Sequence, residues 1–285
     1  MSAFRLGRWP VRRTGYGAMQ LGGPPYGSGG PADRATAAGV LGAAVAAGVD
    51  HIDTAQYYGA GLVNDLIRQA LHPYPPGLAI VSKVAVGDDA RADVSPGEAR
   101  RLRAEIEANL RSLRIDQLAA VNLRLTGPGR VDSRFDDQIN VLVQARDEGL
   151  IAGIGLSNVS LEQFRHAVRG TDIVCVQNLF HLADRQAAPV LQACLSRGIA
   201  FVPFCPLGWP RGSANPVLAS PVVIRTADRL GLTPAQVALK WLLQLAPNVL
   251  LIPGTASVGH LRDNLAAEHV TLDDQALRDL EALAP

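Results

Sequence analysis

Residues 151–203 read IAGIGLSNVSLEQFRHAVRGTDIVCVQNLFHLADRQAAPVLQACLSRGIAFVP, and this stretch decides the fold. Three short runs rich in β-branched and apolar residues stand out: Ile151 to Leu156, Ile173 to Gln177 and Ala200 to Pro203. Each has the length of a strand. Between them Leu161 to Val168 and Ala187 to Arg197 carry helical spacing, and Gly198 stops the second helix. Strand, helix, strand, helix, strand is the rhythm of parallel pairing, because a parallel neighbour needs a crossover long enough to hold a helix.

The rhythm continues in both directions. Further strands are predicted at Thr14 to Met19, Val49 to Asp53, Ala79 to Lys83, Ala120 to Leu125 and Val249 to Ile252. Helices are predicted at Ala32 to Ala47, Gly61 to Leu71, Ser95 to Leu113, Phe135 to Glu148, Pro221 to Leu230 and Thr233 to Leu245. Gly48, Gly149 and Gly231 mark further stops. Eight strands with helices between them, in 285 residues and with no change of composition between the halves, predict one (β/α)8 TIM barrel, a single α/β domain over residues 1–285. The competing architecture is an open doubly wound sheet, which announces a nucleotide by GxGxxG at its first strand-to-helix turn. Here that turn reads Gly15-Tyr16-Gly17-Ala18-Met19-Gln20, without the third glycine, and the Gly153-Ile154-Gly155 run ends in Ser157-Asn158. No GxxxxGK[ST] phosphate loop occurs, so Gly22 to Gly30 reads as a flexible first loop at the barrel mouth.

Composition narrows the function classes. Hydrophobic residues make up 48% and charged residues 19%, which excludes a disordered or fibrous chain. The 27 Lys and Arg nearly cancel the 26 Asp and Glu, leaving +1, so no footprint for nucleic acid or an anionic membrane is present. Ala35 to Val49, an uncharged Ala/Gly-rich stretch, is too short to cross a bilayer. The start carries no secretory pattern, and a cytoplasmic protein is expected. Oligomeric state leaves no mark in the sequence. Cys175, Cys194 and Cys205 lack CxxC spacing and are expected to be buried, reduced thiols. His51, His72, His166, His181 and His269 show no metal spacing, so no metal is expected.

Barrel active sites lie at the C-terminal ends of the strands. Five successive ends here carry polar groups: Asp53, Lys83, Arg124, Ser157 with Asn158, and Gln177 with Asn178. Lys83 and Lys240 are the only lysines, in a chain whose other basic residues are all arginine. A lysine kept at a strand end has a use for a compact charge or a removable proton, which guanidinium cannot supply. Asp53 and Lys83 on neighbouring strands would pair, either as a structural ion pair or beside a phenol tuned toward general-acid work. Tyr57 and Tyr58 follow immediately.

Asp53-Thr54-Ala55-Gln56-Tyr57-Tyr58-Gly59 resembles the DTAxxYG signature of the aldo-keto reductases. Gly15-Tyr16-Gly17, Ser82-Lys83, Gly155-Leu156-Ser157-Asn158, Gln177-Asn178, Pro206-Leu207-Gly208 and Ile252-Pro253-Gly254-Thr255 follow in the family's order, over nearly the whole chain. Within the family, GYGAMQL, HIDTAQYYG, VNLR, VCVQN and IPGTASVGHLRDN look most like the pyridoxal reductase branch. The resemblance implies an NADPH-dependent carbonyl reductase, with NADH as the other cofactor, acting on a small aldehyde or ketone such as pyridoxal. Tyr58 would be the acid, Lys83 would lower its pKa, Asp53 would hold Lys83, and Tyr57 would pack. Ser157, Asn158 and Gln177 would bond the nicotinamide carboxamide. Gly17, Met19, Asp53, Pro206, Leu207, Gly208 and Gly254 would complete the cofactor's bed. A ketoreductase tailoring a sugar or polyketide, or a nucleotide-binding module without turnover, are the other readings; the intact Tyr58, Lys83 and Asp53 speak against the last.

The sequence departs from the family pattern at several places. Arg124 stands where most members have histidine. It would polarise a carbonyl or hold an anionic substituent, and an ion pair with a nearby acid is the alternative. Phe204 stands where many members stack a tyrosine on the nicotinamide, and stacking needs only the ring face. Around the last strand, Gly254 and His260 replace a lysine and an arginine of many NADP-specific members. Thr255, Ser257, His260, Arg262 and Asn264 would still meet a 2'-phosphate. Tyr26 and Trp209 are expected either to wall a flat substrate or to pack on the barrel rim.

Overall fold

The computed structural model describes residues 4–23, 33–85, 96–208 and 215–283. An antiparallel hairpin of β1 (Phe4–Leu6) and β2 (Trp9–Val11) comes first, unforeseen in the sequence. Seven parallel strands follow in strict chain order: β3 (Tyr16–Gly17), β4 (His51–Asp53), β5 (Ala79–Val84), β6 (Ala120–Arg124), β7 (Ile154–Ser157), β8 (Ile173–Gln177) and β9 (Ala200–Phe201). That order is one that βα repeats wind in a (β/α)8 fold. The helices are α1 (Arg34–Ala46), α2 (Leu62–Leu71), α3 (Pro96–Leu113), α4 (Ser133–Asp147), α5 (Leu161–Gly170), α6 (Ala188–Leu195), α7 (Pro221–Leu230), α8 (Pro234–Leu245), α9 (Val258–Ala266) and α10 (Asp274–Glu281). The last two are additions to the expected set. No helix among the described residues is long and apolar enough to cross a membrane.

Several expected strands are shorter than their apolar runs, the seventh among them at Ala200–Phe201. The first is reduced to Tyr16–Gly17, and Met19 falls in a tight 3-10 turn, Met19–Gly22. The eighth, Val249 to Ile252, is not a regular strand among the described residues. It makes isolated parallel bridges instead, Val249 to Phe201 on one side, and Leu251 to Thr14 and Gly254 to Gly17 on the other. Pro253 has no N–H to continue a ladder. The approach is close: a Cβ on Gly17 would lie 2.4 Å from the Ile252 oxygen, and one on Gly254 2.6 Å from the Gly17 oxygen. Glycine at both places is what lets the two backbones meet.

The main core lies between sheet and helices, where Ile67, Leu102, Ile106, Leu142 and Phe164 are fully buried. Each contributes about 1.5 to 3 kcal/mol of apolar burial. Leu6 and Val11 of the hairpin join a second cluster with Ala79, Ala120 and Ala200, the first residues of β5, β6 and β9. The hairpin therefore covers the end at which the strands begin. The opposite end is left for chemistry.

Candidate active site

Asp53, Arg124, Ser157 and Gln177 are each the last residue of a strand, and Lys83 is the last but one of β5. Parallel pairing sets Arg124 beside Ser157 and Ser157 beside Gln177. Lys83 Nζ donates to Asp53 Oδ1 and, at 3.1 Å, to the Thr54 carbonyl. Gln177 Nε2 donates to Asp53 Oδ2 at 2.5 Å. Both carboxylate oxygens are thus held, and all three residues are 5% exposed or less. A buried ion pair persists only where its remaining lone pairs are satisfied, and Gln177 supplies that partner. The bond also fixes the amide: with Nε2 on the carboxylate, Gln177 Oε1 is left buried and without a partner.

Tyr58 opens a 3-10 turn, Tyr58–Gly61, in which Gly59, Ala60 and Gly61 have φ of 58°, 52° and 96°. Glycines at 59 and 61 make this left-handed run tolerable. The turn delivers the Tyr58 ring to the Lys83 ammonium, 5.3 Å from the ring centroid. Tyr57 packs edge-on against it, centroids 4.8 Å apart, and is itself 40% exposed. The expected lowering of the Tyr58 pKa by Lys83 is not found. Burial, and then the Asp53 carboxylate, push the phenol well above its ordinary value, while Tyr57 and Arg124 act against them. Lys83 is spent on Asp53, and its charge meets the ring face, so the phenol keeps its proton.

Arg124 Nη1 donates to Ser157 Oγ at 2.9 Å, and its guanidinium carbon lies 4.5 Å from the Phe204 ring centroid. Among the described residues no acid pairs with it, so the ion-pair alternative finds no partner there. One face of Phe204 is taken by this contact. The helix cap after β7 is Ser160, which accepts from the Gln163 N–H at 3.1 Å while Gln163 Oε1 accepts from the Ser160 N–H. Ser157 and Asn158 are therefore not used as caps. Asn158 has a φ of 60°, and its Nδ2 donates to the Leu125 carbonyl.

These groups open on a cavity of about 540 Å³. Of the residues singled out in the sequence, it is lined by Gly17, Met19, Asp53, Tyr57, Tyr58, Lys83, Arg124, Gln177, Phe204, Pro206, Leu207, Gly208 and Gly254. Ser157 and Asn158 stand behind this lining. Gln20, Cys205, Asn215, Leu218, Ile252 and Pro253 line it too and were missed. Cys205 is only half-buried, unlike Cys175 and Cys194, and it adopts a φ of 52°. Its thiol is pushed up to about 12 by burial. Tyr26 and Trp209 lie outside the described residues.

Thr255, Ser257 and His260 gather around the start of α9, just beyond the lining residue Gly254, while Asn264 lies near the end of that helix. Ser257 caps the helix, accepting from the His260 N–H at 3.4 Å, and Thr255 Oγ1 accepts from the Ser257 N–H. His260 and Arg262 are exposed, and Asn264 is buried. A helix start with basic side chains is a ready anion site. Among the described residues no group of His, Cys, Asp and Glu could hold a metal ion.

Comparison with known proteins agrees with this geometry. The model of the Aldo/keto reductase family matches residues 13–285. The chain is 44% identical to pyridoxine 4-dehydrogenase of Escherichia coli (strain K12), over 99% of this chain and 98% of that one. It is 33% identical to the uncharacterized oxidoreductase C215.11c of Schizosaccharomyces pombe, over 97% and 88% of the two chains. Among solved structures, an aldo-keto reductase from Klebsiella pneumoniae in complex with NADPH superposes with a TM-score of 0.81 at 27% identity, covering 99% of this chain and 94% of that one. The thermostable aldo-keto reductase Tm1743, in complex with epalrestat, gives 0.81 at 28% identity, covering 99% of this chain and all of the other. The ordered strand-end groups and the match over residues 13–285 have one meaning: this chain belongs to the aldo/keto reductase family.

Proposed function

We propose that the protein is an NADPH-dependent carbonyl reductase of the cytoplasm that converts an aldehyde, pyridoxal foremost, to the alcohol. The observation that carries this reading is the cavity lined together by Tyr58, the Lys83–Asp53 pair and Gln177, whose buried Oε1 has no partner. An orphaned buried acceptor is costly unless a ligand donor meets it, and a carboxamide N–H₂ is such a donor. The residues thus fit NADPH, which when bound supplies the hydride. Ser157, Asn158 and Gln177 would hold its carboxamide, Phe204 would offer a ring face, and the start of α9 would take the adenosine 2'-phosphate. The same reading treats residues 1–285 as one domain, with the segment bridged to both Phe201 and Gly17 serving as the eighth stave that closes the barrel.

Tyr58 is the proton donor to the carbonyl oxygen. Its raised pKa keeps the proton on the phenol before the reaction. The charge left on the phenol oxygen afterwards is eased by Arg124, while Lys83 neutralises Asp53, the group that opposes it. The overall balance is aldehyde plus NADPH plus one proton giving alcohol plus NADP. The reading is tested by NADPH oxidation against a panel of aldehydes and ketones. Pyridoxal should be among the best substrates, and a panel with no carbonyl-dependent oxidation contradicts the reading.

NADPH should bind about tenfold or more tightly than NADH, since each charge-assisted phosphate contact is worth about 1.5 to 3 kcal/mol. Fluorescence titration measures both, and equal dissociation constants remove His260, Arg262 and Thr255 from the cofactor site.

Arg124→His should retain reduction of plain aldehydes and lose activity on substrates that carry an anionic oxygen, because imidazole is largely neutral at pH 7. Loss of one charge-assisted hydrogen bond predicts a fall of roughly 10- to 150-fold in the ratio of kcat/KM for pyridoxal to that for an aldehyde without the phenolic oxygen. An unchanged ratio means that Arg124 does not read the substrate.

A further inference from the structure

Behind the site, on the side of the sheet that faces α2 and α3, lies a set of polar side chains in what is otherwise apolar core. Asn64 of α2 and Asn109 of α3 are completely buried, as are Thr54 and Ser82. Thr54 Oγ1 donates to Asn64 Oδ1 at 2.8 Å. Asn64 Nδ2 donates to Gln56 Oε1 at 2.7 Å and to Asn109 Oδ1 at 3.0 Å. Ser82 Oγ donates to the same Asn109 Oδ1 at 2.6 Å, and Asn109 Nδ2 is tied to the Glu105 carbonyl at 2.9 Å. Ser112 Oγ completes the set on Gln56 Oε1 at 2.7 Å.

The three chain positions held from behind are Thr54, Ser82 and Gln56. Thr54 follows Asp53, Ser82 precedes Lys83, and Gln56 stands two residues before Tyr58. Side chains alternate across a strand, so Ser82 reaches the helices while Lys83 reaches the cavity. We propose that Asn64 and Asn109 are positioning residues that hold Asp53, Lys83 and Tyr58 in register with one another through these neighbours, a proposal that rests on the catalytic reading of those three. A satisfied buried network is directional, unlike apolar packing, and specifies one arrangement of the groups that it joins. Catalysis is sensitive to such placement: a displacement of about 1 Å costs on the order of 100-fold.

The test is a double-mutant cycle on pyridoxal reduction, with stability, NADPH affinity and hydrogen exchange read on the same proteins. Asn64→Ala should lower kcat about 10- to 100-fold and leave the NADPH dissociation constant unchanged. Exchange of the Thr54 and Tyr58 amides, bonded to the Val81 and Ala55 carbonyls, should quicken in the free protein. Because Asn64 acts through Tyr58, adding Asn64→Ala to Tyr58→Phe should lower kcat no further. Thr54→Val and Ser82→Ala each remove one bond and keep the shape of the site, and they carry the same test with smaller losses if Asn64→Ala does not fold. A folded variant with a lowered melting temperature and wild-type kcat overturns the proposal, as does a full multiplicative loss in the double variant. Wild-type turnover in Tyr58→Phe overturns the catalytic reading and the proposal together, whereas an inactive Tyr58→Phe beside a fully active Asn64→Ala overturns the positioning role alone.

Discussion

Tyr58→Phe lowers kcat for pyridoxal reduction by about 10²- to 10⁴-fold, the usual contribution of a positioned general acid, and leaves NADPH affinity nearly unchanged. The substitution removes one oxygen. The ring, buried at 7% exposure, keeps its edge contact with Tyr57 and its place under Lys83. Only the hydroxyl's hydrogen bond to Tyr57 goes with the oxygen, so stability should change little, and the main loss falls on the proton. Turnover is measured where the chemical step is limiting. Wild-type turnover under that condition assigns the proton to another group. Tyr57, which lines the same cavity, is then the residue to replace.

Lys83→Met affects stability and catalysis together. The substitution leaves the Asp53 carboxylate buried with only Gln177 Nε2 for support, and removing one partner of a buried pair costs about 3 to 5 kcal/mol. A melting temperature lower by roughly 10 °C is expected. Turnover falls as well, because the unbalanced carboxylate stands beside Tyr58 and opposes the negative charge that proton transfer leaves there. Asp53→Asn in the same chain removes the stranded charge. The double variant should regain most of the melting temperature and most of the turnover. If Lys83→Met melts as the wild type does, the pair is not a buried structural unit, and if the double variant stays slow, Lys83 acts in the reaction beyond neutralising Asp53.

The expected βα rhythm gave β4 through β8, and with them the strand-end positions of Asp53, Lys83, Arg124, Ser157 and Gln177. Such periodicity is local, and it survives in a sequence without knowledge of what lies opposite. Partners across the sheet are not local. Nothing near Gln177 in the chain announces that its amide bonds Asp53, or that Arg124 turns to Ser157 and Phe204. The tuning of Tyr58 was misjudged for the same reason, since it depends on depth of burial and on which charge Lys83 faces. The apolar run at 249–252 resembles the other strands, but Pro253 and the close approach of Gly17 and Gly254 reduce it to bridges. Helices α9 and α10 were legible and overlooked: Ser257 and Asp273 are good caps, each accepting from an N–H three residues on.

Transfer from C4-deuterated NADPH to pyridoxal tests the central claim most directly. Two cofactor samples are used, each labelled on one face of the nicotinamide, and the alcohol is analysed by mass spectrometry. A single orientation of the carboxamide in the Gln177 site predicts deuterium on the former carbonyl carbon with one sample only. Alcohol free of deuterium from both samples, or no alcohol formed while NADPH is bound, contradicts the account.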